Sequence, residues 1–246
     1  MEKTGPLAQP PYKVLCGSAF SVVRPAIELR NAIVSKENAP PSSTGPLVQT
    51  LILDGIWGSH SRWERLRGRI VTEVSPCRIW RYDNSGRTSI ESLGSALAWE
   101  LKQINSPVNL VGYSMGGLVV REAVRQTPGL KVRRVALLNS PNYGSAAAWL
   151  LPLAACRQMR PGSAFLAQLN AAPWTYPTLV TWCPYDLMVF PGSSGRWKNA
   201  SLVLRSDVPA HVWPVLSGEI HRSVAAFLAS EDDPRLPADG KNRYPK

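Results

Sequence analysis

Val108-Asn109-Leu110-Val111-Gly112-Tyr113-Ser114-Met115-Gly116-Gly117 is the stretch whose reading decides the fold. Its first four residues are mostly apolar and partly β-branched, and they predict a buried strand. Gly112 to Gly116 fit G-x-S-x-G, and Leu118 to Arg125 predict a helix. A serine on so sharp a strand-to-helix turn takes up strained backbone geometry. Its flanking glycines are needed because a side chain there would collide with the neighbouring strand or helix. The strain holds the hydroxyl at the carboxyl end of the sheet, facing the N-terminus of the new helix. The pentapeptide alone also suits a serine that merely caps a helix. The strand before it and the helix after it point to a nucleophile elbow.

Outward from the elbow, strands and helices alternate. Leu47 to Leu53 is an apolar run broken only by Gln49-Thr50, hence a buried strand, and it ends in Asp54-Gly55-Ile56-Trp57-Gly58-Ser59. Arg62 to Ile70 predicts a short basic helix and Arg78 to Tyr82 a second strand. Thr88-x-x-Glu91 has the form of a capping box, followed by Ile90, Leu93, Leu97, Leu101 and Ile104 at helical spacing until Pro107. The elbow helix turns Val120, Ala123 and Val124 inward and stops at Thr127-Pro128-Gly129. Val132 to Leu138, Leu179 to Trp182 and Leu202 to Leu204 predict strands, and Val212 to Leu228 a final helix. Such alternation predicts βαβ units: an α/β class, with a mostly parallel sheet covered by helices on both faces. Ligands in such sheets bind at the carboxyl ends of the strands.

One domain is expected over residues 47–230. Before it, residues 1–46 form an extension: a strand or hairpin at Tyr12 to Val23, a helix at Pro25 to Lys36, and a Pro/Ser-rich linker at Asn38 to Pro46. Residues 231–246 are a polar tail. Residues 145–177 are the one sizeable insertion between strands. Ala146, Ala147, Ala148, Trp149, Leu150, Leu151, Leu153 and Phe165 make it apolar. It reads either as a covered helix pair or as a small cap shaping an acyl pocket.

The 246 residues suffice for one sizeable core, and the net charge is +11. The excess is dispersed, so it reads as a solvated surface that would also favour contact with an anionic membrane. Nucleic acid is not expected, for there is no helix-turn-helix, zinc spacing or aromatic platform. Cys16, Cys77, Cys156 and Cys183 are scattered, with no zinc or disulfide pattern. Met1 to Pro11 has no apolar segment of a secretory signal, and no run has the length of a membrane span. A cytoplasmic location is the expectation.

Acyl transfer by serine needs a nucleophile, a base, an acid to hold the base, and donors for the developing oxyanion. After an elbow the chain order is Ser, then Asp or Glu, then His. Asp186, in the turn after the strand ending at Trp182, is the candidate acid. Asp207, after the last strand, is the runner-up, while Asp54 and Asp83 precede the serine. The histidines are His60, His211 and His221. His211 lies in a loop before a helix and is the candidate base; His221 lies within that helix, and His60 precedes the serine. The candidate oxyanion donors are the backbone N–H groups of Met115, after the nucleophile, and of Ile56, after the first strand.

These residues resemble the α/β-hydrolase superfamily, and within it the small lipases and esterases. The likeness runs in outline over residues 48–228. Gly112-Tyr113-Ser114-Met115-Gly116-Gly117 is similar to the family's elbow, Asn139-Ser140-Pro141-Asn142-Tyr143-Gly144-Ser145 to its post-elbow loop, and Met159 to Leu166 to a segment of its cap. Tyr185 to Val189 and Ala210-His211-Val212 are similar to its acid and base loops. The resemblance implies Ser114 as nucleophile and Asp186 as acid. One departure stands out: the family usually opens its oxyanion loop with His-Gly, and this chain has Asp54-Gly55.

The expected function is serine hydrolysis of carboxylic esters of lipid or other apolar acyl substrates, with no metal or cofactor. Acyl transfer or thioester hydrolysis would use the same triad. A catalytically silent hydrolase fold used for binding is the third reading, favoured by Asp54 and the basic surface. The sequence leaves the oligomeric state open.

Overall fold

A computed structural model describes residues 48–231. The extension, with its expected elements at 12–23, 25–36 and 38–46, lies outside the described residues, as does the tail beyond 231. The described elements are β1 (Gln49–Leu53), α1 (Glu64–Glu73), β2 (Cys77–Ile79), α2 (Ile90–Lys102), β3 (Val108–Tyr113), α3 (Met115–Gln126) and β4 (Val132–Leu138). They continue with α4 (Ala154–Met159), α5 (Ala164–Ala171), β5 (Thr178–Trp182), β6 (Leu202–Arg205), α6 (Trp213–Leu216) and α7 (Gly218–Ala229).

The strands form one sheet in the order β2-β1-β3-β4-β5-β6, and every pair is parallel. Side chains alternate across it, as the period of a strand demands. Leu51, Leu53, Leu110, Val135, Leu137 and Val180 pack under α2, α3 and α5. Ile52, Val111, Ala136, Leu138 and Leu179 pack under α1 and α7. Burial on both faces explains why these strands read as continuous apolar runs. The order reverses between β1 and β3, so a crevice opens at their carboxyl ends, the switch point where such sheets bind ligands.

Several expectations shift locally. α1 begins later than Arg62, because His60–Trp63 is a 3-10 turn that precedes it. β2 ends at Ile79, well short of Tyr82; Tyr82 leaves the sheet to donate its hydroxyl to the Asp54 carbonyl. The capping box is displaced by one residue. Ser89 caps α2, accepting from the Ser92 N–H at 3.1 Å, while Thr88 donates to Asp83. The elbow helix starts at Met115, so Ser114 alone separates strand from helix. The last helix is broken at Ser217, whose hydroxyl caps α7 by accepting from the Ile220 N–H.

The 145–177 insertion contains a 3-10 turn at Ala146–Trp149 followed by α4 and α5. A buried arginine fastens it. Arg121, on α3, donates to the Asn142 carbonyl at 3.3 Å, the Leu169 carbonyl at 3.3 Å and Asn170 Oδ1 at 2.8 Å. Its guanidinium lies 4.1 Å over the Trp197 ring. Arg121→Met is expected to lower the unfolding free energy by about 2–4 kcal/mol, because it leaves buried acceptors without donors. A urea titration checks this, read as a lower midpoint.

Candidate active site

The elbow is built from close approaches that exclude side chains. A Cβ on Gly112 would lie 2.5 Å from the Gly117 Cα, and one on Gly116 would lie 2.5 Å from the Asp54 carbonyl oxygen. Strand, helix and the loop after β1 therefore pack backbone to backbone. Ser114 has φ of +52°, and Trp57 and Asn139, which follow β1 and β4, have +54° and +45°. These are the non-glycine residues with left-handed φ among the described residues. Each costs on the order of 1–3 kcal/mol, and such strain gathers at functional sites.

Ser114 occupies the N-cap position of α3, yet its side chain makes no capping bond. Its Oγ lies 2.9 Å from His211 Nε2 instead. His211 Nδ1 lies 2.7 Å from Asp186 Oδ2. The other carboxylate oxygen accepts the N–H groups of Met188 at 2.8 Å and Val189 at 3.0 Å, an aspartate turn that fixes the carboxylate plane. Asp186 is buried, and the His211 side chain is 16% exposed. With Nδ1–H given to Asp186, Nε2 carries the lone pair that faces the serine hydroxyl. Three residues, the outermost 97 positions apart in the chain, thus meet in one line of hydrogen bonds.

The competing candidates lie elsewhere. Asp207 pairs with Arg205 at 2.7 Å, and both side chains are about half exposed. His221 is buried under α6, with Nε2 3.0 Å from the Pro214 carbonyl, and burial lowers its pKa. His60 packs beside Tyr82, with ring centroids 5.9 Å apart.

The loop after β1 lies directly on the elbow: a Cβ on Gly55 would come within 2.8 Å of Ser114 Cβ. Ile56 and Ser114 line one cavity together. No group among the described residues accepts the Ile56 N–H, whereas its neighbour Trp57 donates to the Asn84 carbonyl at 2.9 Å. Asn84 also donates to the carbonyls of Gly55 and Gly58, both at 2.9 Å. The loop is clamped on both sides of the Ile56 amide and left open at it. The Met115 N–H, first in α3, is one of the amides a helix cannot satisfy internally.

Asp54 is fully buried and does not line the cavity. Its carboxylate accepts the Gly55 N–H at 2.7 Å and both Nε and Nη2 of Arg62, Nε lying 3.1 and 3.0 Å from the two oxygens.

Sequence reasoning missed the supports of this site. Tyr113 donates its hydroxyl to the His211 carbonyl at 3.0 Å. Asn139 Nδ2 reaches the same carbonyl at 3.4 Å and Asp186 Oδ2 at 3.5 Å. Ser145 Oγ donates to the Met188 carbonyl at 2.8 Å and accepts the Phe190 N–H at 3.0 Å, which ties the acid loop to the insertion. The signal for Asn139 was a polar residue closing an apolar strand beside the elbow strand.

The cavity measures about 380 Å³. Ser114 and His211 line it, together with Ala147, Ala148, Leu151 and Met159 of the insertion.

No protein-family model and no curated protein matches the sequence. Solved structures do match it. A lipase from Bacillus licheniformis, solved in its propeptide form, has a TM-score of 0.62 at 18% identity, over 81% of this chain and 53% of that one. Lipase B of Aspergillus fumigatus has a TM-score of 0.53 at 17% identity, over 84% of this chain and 53% of that one. An extracellular α/β-hydrolase from a Paenibacillus species has a TM-score of 0.54 at 14% identity, over 76% of this chain and 100% of that one. The chain spans about half the length of the two lipases. At such identities the likeness is one of fold.

Proposed function

The chain has the α/β-hydrolase fold, and from that premise we propose that it is a serine hydrolase cleaving carboxylic esters of lipid or other apolar acyl substrates. The observation that carries this reading is the line Ser114–His211–Asp186 at the wall of an apolar cavity, with an uncommitted amide across from it.

In this reading Ser114 Oγ attacks the ester carbonyl carbon while His211 Nε2 takes its proton. Asp186 holds the imidazolium that forms, and the Ile56 and Met115 N–H groups stabilise the oxyanion. As the tetrahedral intermediate collapses, the C–O bond breaks and His211 returns the proton to the leaving alcohol. Water, activated by His211, then attacks the acyl-enzyme and releases the acid with Ser114 restored. Asp54 had been the strongest argument for a silent binding fold. Its burial against Arg62 removes an unpaired negative charge from beside the oxyanion, where a charge about 6 Å away would cost roughly 3 kcal/mol.

The apolar substrate is supported by the cavity's surroundings. Trp57 and Met188 line it and are exposed. Trp149, Leu150, Leu187 and Phe190, neighbours in the chain of lining residues, are exposed too. Exposed apolar groups at lining residues and at their chain neighbours favour a surface that is covered in use, and the net charge of +11 favours a substrate held in an anionic membrane.

Two measurements test the proposal. Purified protein should label with a fluorophosphonate and hydrolyse nitrophenyl esters across a range of chain lengths. No labelling and no turnover would refute it. Leu150, 81% exposed, probes the rim. Burying a leucine is worth about 2 kcal/mol. Leu150→Asp is therefore expected to lower turnover of a long-chain ester presented in anionic vesicles by about thirtyfold, while leaving a soluble short-chain ester unaffected. Equal losses on both substrates would speak against a lipid-facing rim.

A further inference from the structure

Asp54 breaks the family's usual pattern, and its surroundings give it a task. Its carboxylate holds the fork of Arg62. The Arg62 guanidinium lies 5.0 Å over the Tyr113 ring. That ring, wedged on its other contacts by Trp63 at 5.3 Å, lies 5.1 Å from the His211 imidazole and donates its hydroxyl to the His211 carbonyl. The same Tyr113 ring would be 3.1 Å from a Cβ on Gly55, so the oxyanion loop rests on it. We infer that Asp54 and Arg62 form a positioning couple that holds the Ile56 amide and the His211 imidazole in register through Tyr113, whose ring lies under the arginine and whose hydroxyl holds the His211 carbonyl. This rests on the reading of Ser114 as nucleophile and His211 as base.

Three features fit the assignment. Nε and Nη2 of Arg62 are both spent on Asp54, so the guanidinium plane is fixed in direction, as a planar fork allows and an ammonium does not. The 3-10 turn at His60–Trp63 carries Arg62 back over the loop eight residues after Asp54. Gly58 leaves the space: a Cβ there would lie 2.2 Å from Asp54 Oδ2, so any larger residue pushes the carboxylate off the arginine.

The test compares kcat and KM of wild type, Arg62→Met, Tyr113→Phe and the double variant on one soluble nitrophenyl ester. Gly58→Ala is added because it disturbs the carboxylate without removing a charge. Each single change is expected to lower kcat about tenfold and to leave KM within about twofold. The double should be no worse than the poorer single, because both act on one element. A folded Arg62→Met with wild-type kcat overturns the inference. So does a double whose losses multiply to about a hundredfold, or a loss confined to KM. Should Arg62→Met not fold, Gly58→Ala and Tyr113→Phe carry the same comparison. A wild type without turnover or labelling would refute the Ser114 reading by itself. The couple is then judged by the low-field proton resonance of His211 Nδ1. A broadened or shifted signal in Tyr113→Phe and Gly58→Ala supports it, and a signal identical to wild type in both overturns it.

Discussion

Ser114→Ala is expected to remain folded and to lose ester turnover by about 10⁴-fold or more, equivalent to about 5 kcal/mol of barrier. The two halves of this expectation come from different observations. The fold should survive because the Ser114 hydroxyl makes no capping bond at α3, so its removal strands no backbone amide. Alanine keeps the Cβ, so the left-handed backbone at this position is no more crowded than before. The rate should collapse because, among the described residues, the hydroxyl is the group that meets His211 Nε2. Without it the imidazole has no proton to take and the covalent route closes. A fluorophosphonate assay checks the point: labelling of the variant at the wild-type rate would remove Ser114 from the role.

Asp186→Asn is expected to lower kcat on the order of 10⁴-fold at neutral pH, the loss found when this partner of the base is neutralised elsewhere. The local hydrogen bonds say why the amide cannot mimic the acid. Oδ1 accepts two backbone N–H groups, from Met188 and Val189, so that position must stay an oxygen. The amide nitrogen is then forced into the place of Oδ2, facing His211 Nδ1. Nδ1 has to become the acceptor, and the ring proton moves to Nε2, where it points at Ser114. A base carrying its proton on the wrong nitrogen cannot receive another. Asp207→Asn should retain near wild-type turnover, since Asp207 sits on the surface against Arg205. The opposite ranking of the two variants would transfer the role to Asp207.

What could be read before the structure, and what could not, divides along a physical line. The elbow was legible because its motif is contiguous: Gly112 is pressed by Gly117 five residues on, even though Gly116 and Gly117 face Asp54 and Ser140 from distant parts of the chain. The sheet was legible because burial on both faces writes apolar runs into β1, β3 and β4. Asp186 and His211 followed from chain order and from the scarcity of histidine. The helix ends were less legible. Ser89 and Thr88 are equally good caps by type, and the choice fell to Ser89 because Asp83 engages Thr88. Ser217 breaks what periodicity joins, since Trp213–Leu216 and α7 are each apolar on the inward side. The role of Tyr113 left no local trace. Tyr113 meets His211 across 98 positions of chain, and the Arg62–Tyr113 contact is made face to ring. Such pairings exist only after the segments have met. Asp54 is the contrasting case: Arg62, eight residues on, is near enough in sequence to be its candidate partner, and the 3-10 turn brings the two together.

Arg121 joins α3, the helix that begins just after Ser114, to α5 of the insertion in a single buried set of bonds. The insertion is therefore masonry, built into the same wall as the elbow. It has no hinge of its own by which to swing, since moving α5 would uncover a guanidinium that the core has no other way to satisfy. On the proposed reading, an incoming ester would meet a doorway of settled width. Discrimination between one chain and another must then be made by what the walls are lined with. A change of taste in this molecule would be a change of wallpaper at Ala147, Ala148 or Leu151, with the frame left standing.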